Sequence, residues 1–221
     1  MRPAPDNLYD VTMRELKKVE ERLKEIERMV FKNKIFQERT IGIGIIDPDE
    51  AIAYGITGPT LRGSGVAYDL RATGEYGYYS ELGFKPVVAE KGDIYEIGDA
   101  YARSRVRYQE IRKSIEMVKE LAKIIRDYPA NERKISPLPK ARLASLLLEP
   151  GEAYARTERA RGEVMFYVLA KRKSPMPYRV KIKSPSPHLM TIFLKLIKGA
   201  RIADIPAIHM SIDECPGDLD R

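Results

Sequence analysis

Two long stretches of this chain repeat apolar residues every three or four positions, and that period constrains the fold more than any other feature. In residues 10 to 34, Met13, Leu16, Val19, Leu23, Ile26 and Val30 form one stripe, with charged residues opposite. In residues 101 to 127 the stripe is Tyr108, Ile111, Ile115, Val118, Ala122 and Ile125. Thr12 and Glu15 read as a capping-box pair for the first helix, and Tyr128-Pro129 stops the second. Two such helices are parts of a bundle, with core packing as their role.

Between the helices the texture differs. Asp47 caps a short helix with Pro48 in its first turn and Gly55 at its end. The glycine-rich stretch from Gly55 to Arg71 follows, and residues 72 to 99 show no clear period. Beyond the break Ser136-Pro137-Leu138-Pro139 the pattern turns to strands. Glu163 to Ala170 is β-rich and Tyr178 to Lys183 alternates, so the two form an antiparallel hairpin. Ser184-Pro185-Ser186-Pro187 introduces an apolar helix, His188 to Lys198, which Gly199 closes. A short segment from Ala200 to Met210 then leads into the tail. The fold class is therefore α+β, with long bundle helices and a small antiparallel sheet.

Hydrophobic residues make up 43% of the 221 positions, enough for a core, and charged residues make up 32%. Abundant Lys and Glu, one Cys and no Trp match the bias of heat-adapted proteins. A net charge of +7 suits acidic partner subunits, and no nucleic-acid-reading motif interleaves the basic residues. No apolar run approaches the ~20 residues of a membrane span. The N-terminus has no apolar leader core, and a lone thiol fits a reducing cytoplasm. Any link to a membrane is expected to run through other chains.

The glycine-rich stretch has neither spacing of a phosphate-binding loop, so a nucleotide is not expected there. Gly63 and Gly65 admit positive φ, while Arg62, Asp69 and Arg71 can pair to lock an irregular loop that contacts other subunits. His188 and His209 are expected to pack or cap. Cys215, the only cysteine, can be one metal ligand but cannot hold a metal by itself. On the residues alone, Arg161 is equally well a surface arginine and Ser186 a helix N-cap.

Several collinear blocks carry a resemblance. Gly55-Ile56-Thr57-Gly58-Pro59-Thr60-Leu61-Arg62-Gly63-Ser64-Gly65 through Asp69-Leu70-Arg71 resembles the corresponding block of the D component of respiratory complex I. Pro150-Gly151-Glu152-Ala153-Tyr154, Ala160-Arg161-Gly162-Glu163 and Pro177-Tyr178-Arg179 through Pro185-Ser186 look like the series that follows in the same family. The tail Asp213-Glu214-Cys215-Pro216-Gly217-Asp218-Leu219-Asp220-Arg221 lies between the endings of that component and of nickel–iron hydrogenase large subunits. The likeness runs from about Arg39 to Arg221.

That resemblance implies a hydrogenase large-subunit-like fold. It further implies the C-terminal part of a large subunit split between two polypeptides, most like the archaeal membrane-bound sulfane sulfur reductase type. Residues 1–38 would then be an added helix, 39–135 a loop and bundle-helix region, and 136–221 the hairpin, apolar helix and cysteine tail, one domain completed by a partner chain. By the same resemblance Cys215, Arg161 and Asp218 are the catalytic candidates. Ser186, Asp213 and Arg221 line the substrate cavity, and Arg221 pairs with Asp218. Asp218 stands where hydrogenases place a bridging cysteine, and a hard carboxylate cannot replace that thiolate, so the nickel–iron site is expected to be lost. No cofactor is expected on this chain alone. The implied partners are a companion chain with the N-terminal half, a small subunit holding [4Fe-4S] clusters, and membrane-embedded antiporter-like and anchor subunits, without nucleic acid. The chain would sit in a peripheral arm at the cytoplasmic face of the membrane. The implied acceptors, in falling order, are sulfane sulfur, a quinone and protons; the alternative to any chemical role is a purely structural scaffold of the complex.

Overall fold

The computed structural model describes residues 7–74, 77–92, 94–128 and 147–220. The Ser136–Pro139 break and Arg221 lie outside them.

Helix α1 (Leu8–Ile26) continues into a π-helical turn, Glu27–Phe31. It starts a turn earlier than the capping box predicts. Asn7 occupies the N-cap without a side-chain cap bond, and Glu15 pairs instead with Arg14 and Lys18. After Asn33, whose Oδ1 accepts from the Ile35 and Phe36 amides, comes α2 (Lys34–Glu38). Helix α3 (Pro48–Ala53) has the expected Asp47 cap and ends before Gly55, which sits at φ +68°. Helix α4 (Gly58–Gly63) runs through the block expected to be an irregular loop, and a 3-10 turn follows at Leu70–Ala72. Helix α5 (Ala100–Asp127) is capped by Asp99, whose Oδ1 accepts from the Ala102 amide.

Helices α1 and α5 pack antiparallel. Leu23, Phe31, Tyr101, Tyr108 and Ile115 fill their seam, and Phe31 meets Tyr101 edge-on at 5.8 Å. The Tyr108 hydroxyl donates to Leu23 O and the Tyr101 hydroxyl to Phe31 O, so two tyrosines satisfy carbonyls on either side of the π turn. A groove of about 490 Å³ beside this seam, lined by Glu20, Leu23, Glu27, Tyr108, Arg112 and Ile115, shares no residue with the C-terminal tail.

Strands β1 (Gly151–Arg159), β2 (Gly162–Ala170) and β3 (Arg179–Lys183) form an antiparallel sheet in that order. The β2–β3 hairpin is the expected one. Strand β1 is an addition to the expected pair, although Ala153-Tyr154-Ala155-Arg156-Thr157 alternates. Helix α6 (Ser186–Leu196) starts two residues before the expected His188, and Gly199 ends the segment at φ +77°. A 3-10 turn, Ile202–Asp204, leads to α7 (Ile205–Ile212), and the short α8 (Pro216–Leu219) closes the tail.

The core under the tail gathers Ile46, Ala51, Ile56 and Leu61 from the α3–α4 region with Leu189 and Ile192 of α6 and Ile212 of α7. Each fully buried aliphatic side chain of this kind contributes about 1.5–3 kcal/mol. This core pins α4, α6 and α7 together, and with them Arg62, Ser186 and the start of the tail. Tyr68 ties it to the sheet. Its hydroxyl donates to Glu163 at 2.6 Å, and burial, then the Glu163 carboxylate, pushes it up to about 12. The folded value lies above the unfolded one, so this contribution is full below pH ~10 and is lost as pH rises to ~12. Ultraviolet titration should lose one tyrosinate equivalent from the most alkaline part of the curve in Tyr68→Phe; a titration unchanged there by the substitution would refute the assignment.

Candidate functional site

The block from Gly55 to Arg71 builds a buried charge hub. Arg62 is fully buried; its Nε meets Glu110 at 2.7 Å, and its Nη1 meets Glu158 at 2.9 Å and Asp69 at 3.1 Å. Arg71 Nη2 closes on Asp69 at 2.6 Å. The expected pairing of Arg62, Asp69 and Arg71 is therefore present, enlarged by two glutamates from α5 and β1. Arg62 and Asp69 are inside this chain, so they brace the fold from within and present no contact surface. Gly63 differs from the expectation: it is helical, and a Cβ there would lie 2.6 Å from Arg103 Cγ, so close approach selects the glycine. Gly65 does take positive φ, at +86°.

Gly58 links this block to the arginine turn. It sits at φ +74°, and a Cβ on it would come within 2.4 Å of Gly162 Cα and 2.6 Å of Arg161 O. The Glu163 amide donates to Thr57 Oγ1 at 3.0 Å. The β1–β2 turn, and Arg161 on it, is thus seated against the N-terminus of α4.

Arg161 Nη2 lies 3.5 Å from Asp213 Oδ1, and Arg107 Nε lies 3.8 Å from Asp213 Oδ2. Asp213 is the one non-glycine residue among those described with positive φ, at 55°. It ends α7 in the left-handed region, which Asp tolerates better than most residues. Arg107 also donates to Ser211 O at 2.6 Å and Ile212 O at 3.2 Å, so one guanidinium binds the last carbonyls of α7 and steadies the turn. Arg103 is fully buried and donates to Ser211 Oγ at 2.7 Å, to Gly44 O and to Gly98 O. None of these acceptors is charged. Burial, then the neighbouring Arg107, pushes Arg103 down to about 9; burial pushes Arg107 down to about 10, opposed by Asp213. Both stay cationic at neutral pH, so positive charge concentrates behind the tail. Arg107 Nε and Arg161 Nε are buried and have no hydrogen-bond partner among the described residues.

Ser186 is not the N-cap of its helix, a position that Pro185 takes. Its hydroxyl turns to the tail, accepting from the Cys215 amide at 3.1 Å and donating to Asp218 Oδ2 at 3.4 Å. Ser184 Oγ donates to Asp218 O at 3.2 Å. Ser186, Cys215 and the buried Asp218 therefore form one cluster, and Arg161, Asp213 and Arg107 form another, joined through the single residue Glu214 between Asp213 and Cys215. The Arg221–Asp218 pair lies outside the described residues. His188 Nδ1 sits 3.0 Å from Tyr54 O, and His209 Nε2 sits 3.0 Å from the buried Glu214 carboxylate, so both histidines fasten segments together.

Sequence reasoning misses Arg103, Arg107, Thr60 and Ser211. The signal present is two arginines four apart on α5, next to the small Ala102 and Val106, a spacing that puts them on one helix face. The donors do not fit a nickel–iron centre. Cys215 is the single thiol, Asp218 is engaged by Ser186, and no three His, Cys, Asp or Glu residues gather among the described residues.

Long bundle helices, a small antiparallel sheet and a cysteine-bearing tail seated on a helix N-terminus define the hydrogenase-like large-subunit class. Within it, residues 1–221, first helix included, match the model of the respiratory-chain NADH dehydrogenase 49 kDa subunit, and the chain belongs to that family. It is 36% identical to the D component of an NADH-quinone oxidoreductase from Opitutus terrae, over 90% of this chain and 49% of the relative. It is 34% identical to the D component of the F(420)H(2) dehydrogenase from Methanosarcina mazei, over 98% of this chain and 56% of the relative. Among solved structures it is similar to a chain of the membrane-bound sulfane sulfur reductase, an archaeal respiratory membrane complex. That match has a TM-score of 0.82 and 34% identity, over 98% of this chain and 56% of the other. The chain spans about half the length of the curated relatives it matches, and it fits the C-terminal part of such a protein. Among the described residues no helix is long and apolar enough to cross a membrane.

Proposed function

We propose that this chain walls the electron-acceptor cavity of a membrane-bound, complex I-like oxidoreductase, beside a [4Fe-4S] cluster held by a partner small subunit, and that the acceptor is sulfane sulfur. The observation that carries this reading is the meeting, on one short tail, of a thiol whose backbone is held by Ser186 and Asp218 with three guanidinium groups, those of the buried Arg103, the largely buried Arg107 and the partly exposed Arg161. In polysulfide reduction two electrons enter from the cluster, one S–S bond breaks, one proton is taken up, and hydrosulfide leaves with a chain shorter by one sulfur. Negative charge on the sulfur chain grows as the electrons arrive. Arginines held in a low-dielectric setting are suited to that growth, because they stay charged and need not reorganise. Cys215 would line the cavity at the sulfur chain, Ser186 and Asp218 would hold its backbone, and Arg161 would draw in the anion. The companion half of the large subunit, the small subunit and membrane-embedded antiporter-like and anchor subunits would complete the assembly, with this chain in the arm at the cytoplasmic face.

A quinone acceptor is the second reading, because several relatives are named as components of NADH-quinone oxidoreductases. Cys215→Ser separates the two. In the purified assembly, polysulfide reduction should fall about tenfold or more, equivalent to at least ~1.4 kcal/mol of transition-state stabilisation, with quinone reduction unchanged. Arg161→Gln should raise KM for polysulfide more than it lowers kcat. Undiminished polysulfide turnover by Cys215→Ser would remove the thiol from the mechanism.

A further inference from the structure

Asp213, Glu214 and Asp218 flank Cys215, and their carboxylates end in three different places. Asp213 lies between Arg107 and Arg161, and Asp218 meets the Ser186 hydroxyl. Glu214 takes neither partner. Its side chain keeps only 4% of its exposure, and its Oε1 lies 3.0 Å from His209 Nε2. Its Oε2 is buried and has no hydrogen-bond partner among the described residues. A buried oxygen left unsatisfied costs free energy that a purely fastening contact has no reason to bear.

His209 is the outer end of this pair. It stands in the last turn of α7, edge-on to Phe193 of α6 at 5.0 Å, with a side chain 37% exposed. Water therefore reaches the imidazole while the carboxyl behind it stays dry. An imidazole has one nitrogen to accept a proton and one to donate, and it exchanges protons readily near neutral pH. With Nε2 committed to Glu214, Nδ1 is the nitrogen left for solvent. His188 has no such carboxyl, since its Nδ1 meets a backbone carbonyl, Tyr54 O.

We infer that His209 and Glu214 form a proton relay that feeds the acceptor held at Cys215. The inference rests on the proposed function, in which each S–S cleavage takes up one proton. The guanidinium groups around the tail stay cationic and do not deliver it. His209 accepts a proton from water at Nδ1 and passes its Nε2 proton to Glu214 Oε1. A half-turn of the now neutral carboxyl carries that proton to the side where Oε2 stood unmet. There it passes to the sulfur leaving as hydrosulfide, and Glu214 is a carboxylate again. Exchange with water then resets the imidazole tautomer. One proton enters and one is consumed, while both electrons come from the cluster. Glu214 immediately precedes Cys215, whose amide is tied to Ser186 at 3.1 Å, so carboxyl and thiol stay close. A sulfur chain extends about 2 Å per S–S bond, so the oxygen need not touch Sγ to reach it. Asp218 is the rival donor, but its Oδ2 is taken by the Ser186 hydroxyl and both imidazoles are engaged elsewhere.

The test compares His209→Gln, His209→Ala and Glu214→Gln in the purified assembly. The first keeps an N–H for the carboxyl but transfers no proton, so it separates the relay from the contact. In all three, kcat should fall by about 10²-fold, the low end of general acid–base catalysis, with KM little changed. Reduction of the iron–sulfur clusters by the electron donor, read by EPR without acceptor, should be unchanged, which shows an intact assembly. Free imidazole should restore most of the lost turnover in His209→Ala, where it fills the vacated ring site, and none in Glu214→Gln. Full turnover in His209→Gln, no response of His209→Ala to imidazole, or an equal response of Glu214→Gln would overturn the inference. Should one variant fail to assemble, the other two decide. Quinone reduction also takes up protons, so the imidazole response is read with whichever acceptor turns over, and a wrong acceptor leaves this test standing.

Discussion

Arg62→Leu is expected to be the most destabilising single change in this chain. The guanidinium is fully buried and holds Asp69, Glu110 and Glu158 at 2.7–3.1 Å. Asp69 would keep Arg71 at 2.6 Å and Glu110 would keep it at 3.7 Å, whereas the buried Glu158 would lose its direct counter-cation in surroundings that cannot replace it with water. Removing one partner of a buried ion pair costs about 3–5 kcal/mol. Hydrogen exchange of the α4 amides in the purified assembly, corrected for intrinsic rates, should accelerate by roughly two to three orders of magnitude. The loss should also depend on pH. Burial already raises the Glu158 carboxyl above its ordinary value, opposed by Arg62, so without Arg62 it rises further. A carboxyl raised in the folded state stabilises fully below the unfolded value and less as pH climbs through the folded one. The variant should therefore recover part of its stability on acidification; a deficit independent of pH would show that lost packing, and not stranded carboxylates, is the cause.

Gly58→Ala is expected to have the largest effect on turnover without touching any candidate chemical group. The new Cβ would collide with backbone at Gly162 and Arg161, where no side chain can rotate away. The β1–β2 turn would have to move, carrying Arg161 with it, and a displacement of ~1 Å in a catalytic arrangement can cost about 10²-fold. Gly74→Ala is the matched control. It has nearly the same φ, +75°, but nothing within 4 Å of the added carbon, so it carries the conformational cost alone. Acceptor reduction should fall in the first variant and persist in the second. Equal losses would assign the effect to backbone strain, and no loss in either would detach the glycine block from the site.

Where sequence and structure part, the cause is the same each time. Thr12 and Glu15 have the spacing of a cap, but the helix has already begun at Leu8, because a capping signal competes with the packing of Leu16 and Leu23 on α5. Gly63 has the residue type of a conformational hinge, when what excludes a side chain there is Arg103, forty residues away. Ser186 has the residue type of an N-cap, yet its hydroxyl is drawn to the Cys215 amide, a partner no local pattern announces. Strand β1 alternates weakly by itself and becomes a strand through its pairing with β2.

The sequence by itself determined the two amphipathic helices, the β2–β3 hairpin, the Asp47 cap, the pairing of Arg62 with Asp69 and Arg71, and the family. All of these rest on periodicity, on neighbours a few residues apart or on collinear motifs. Only the tertiary structure decided that Arg103 and Arg107 stand beneath the tail, that Ser186 grips Cys215 and Asp218, and which members of each helix stripe fill the seam. Those contacts join residues up to about a hundred positions apart, and their energies depend on burial and on which charges meet, quantities that no local spacing encodes.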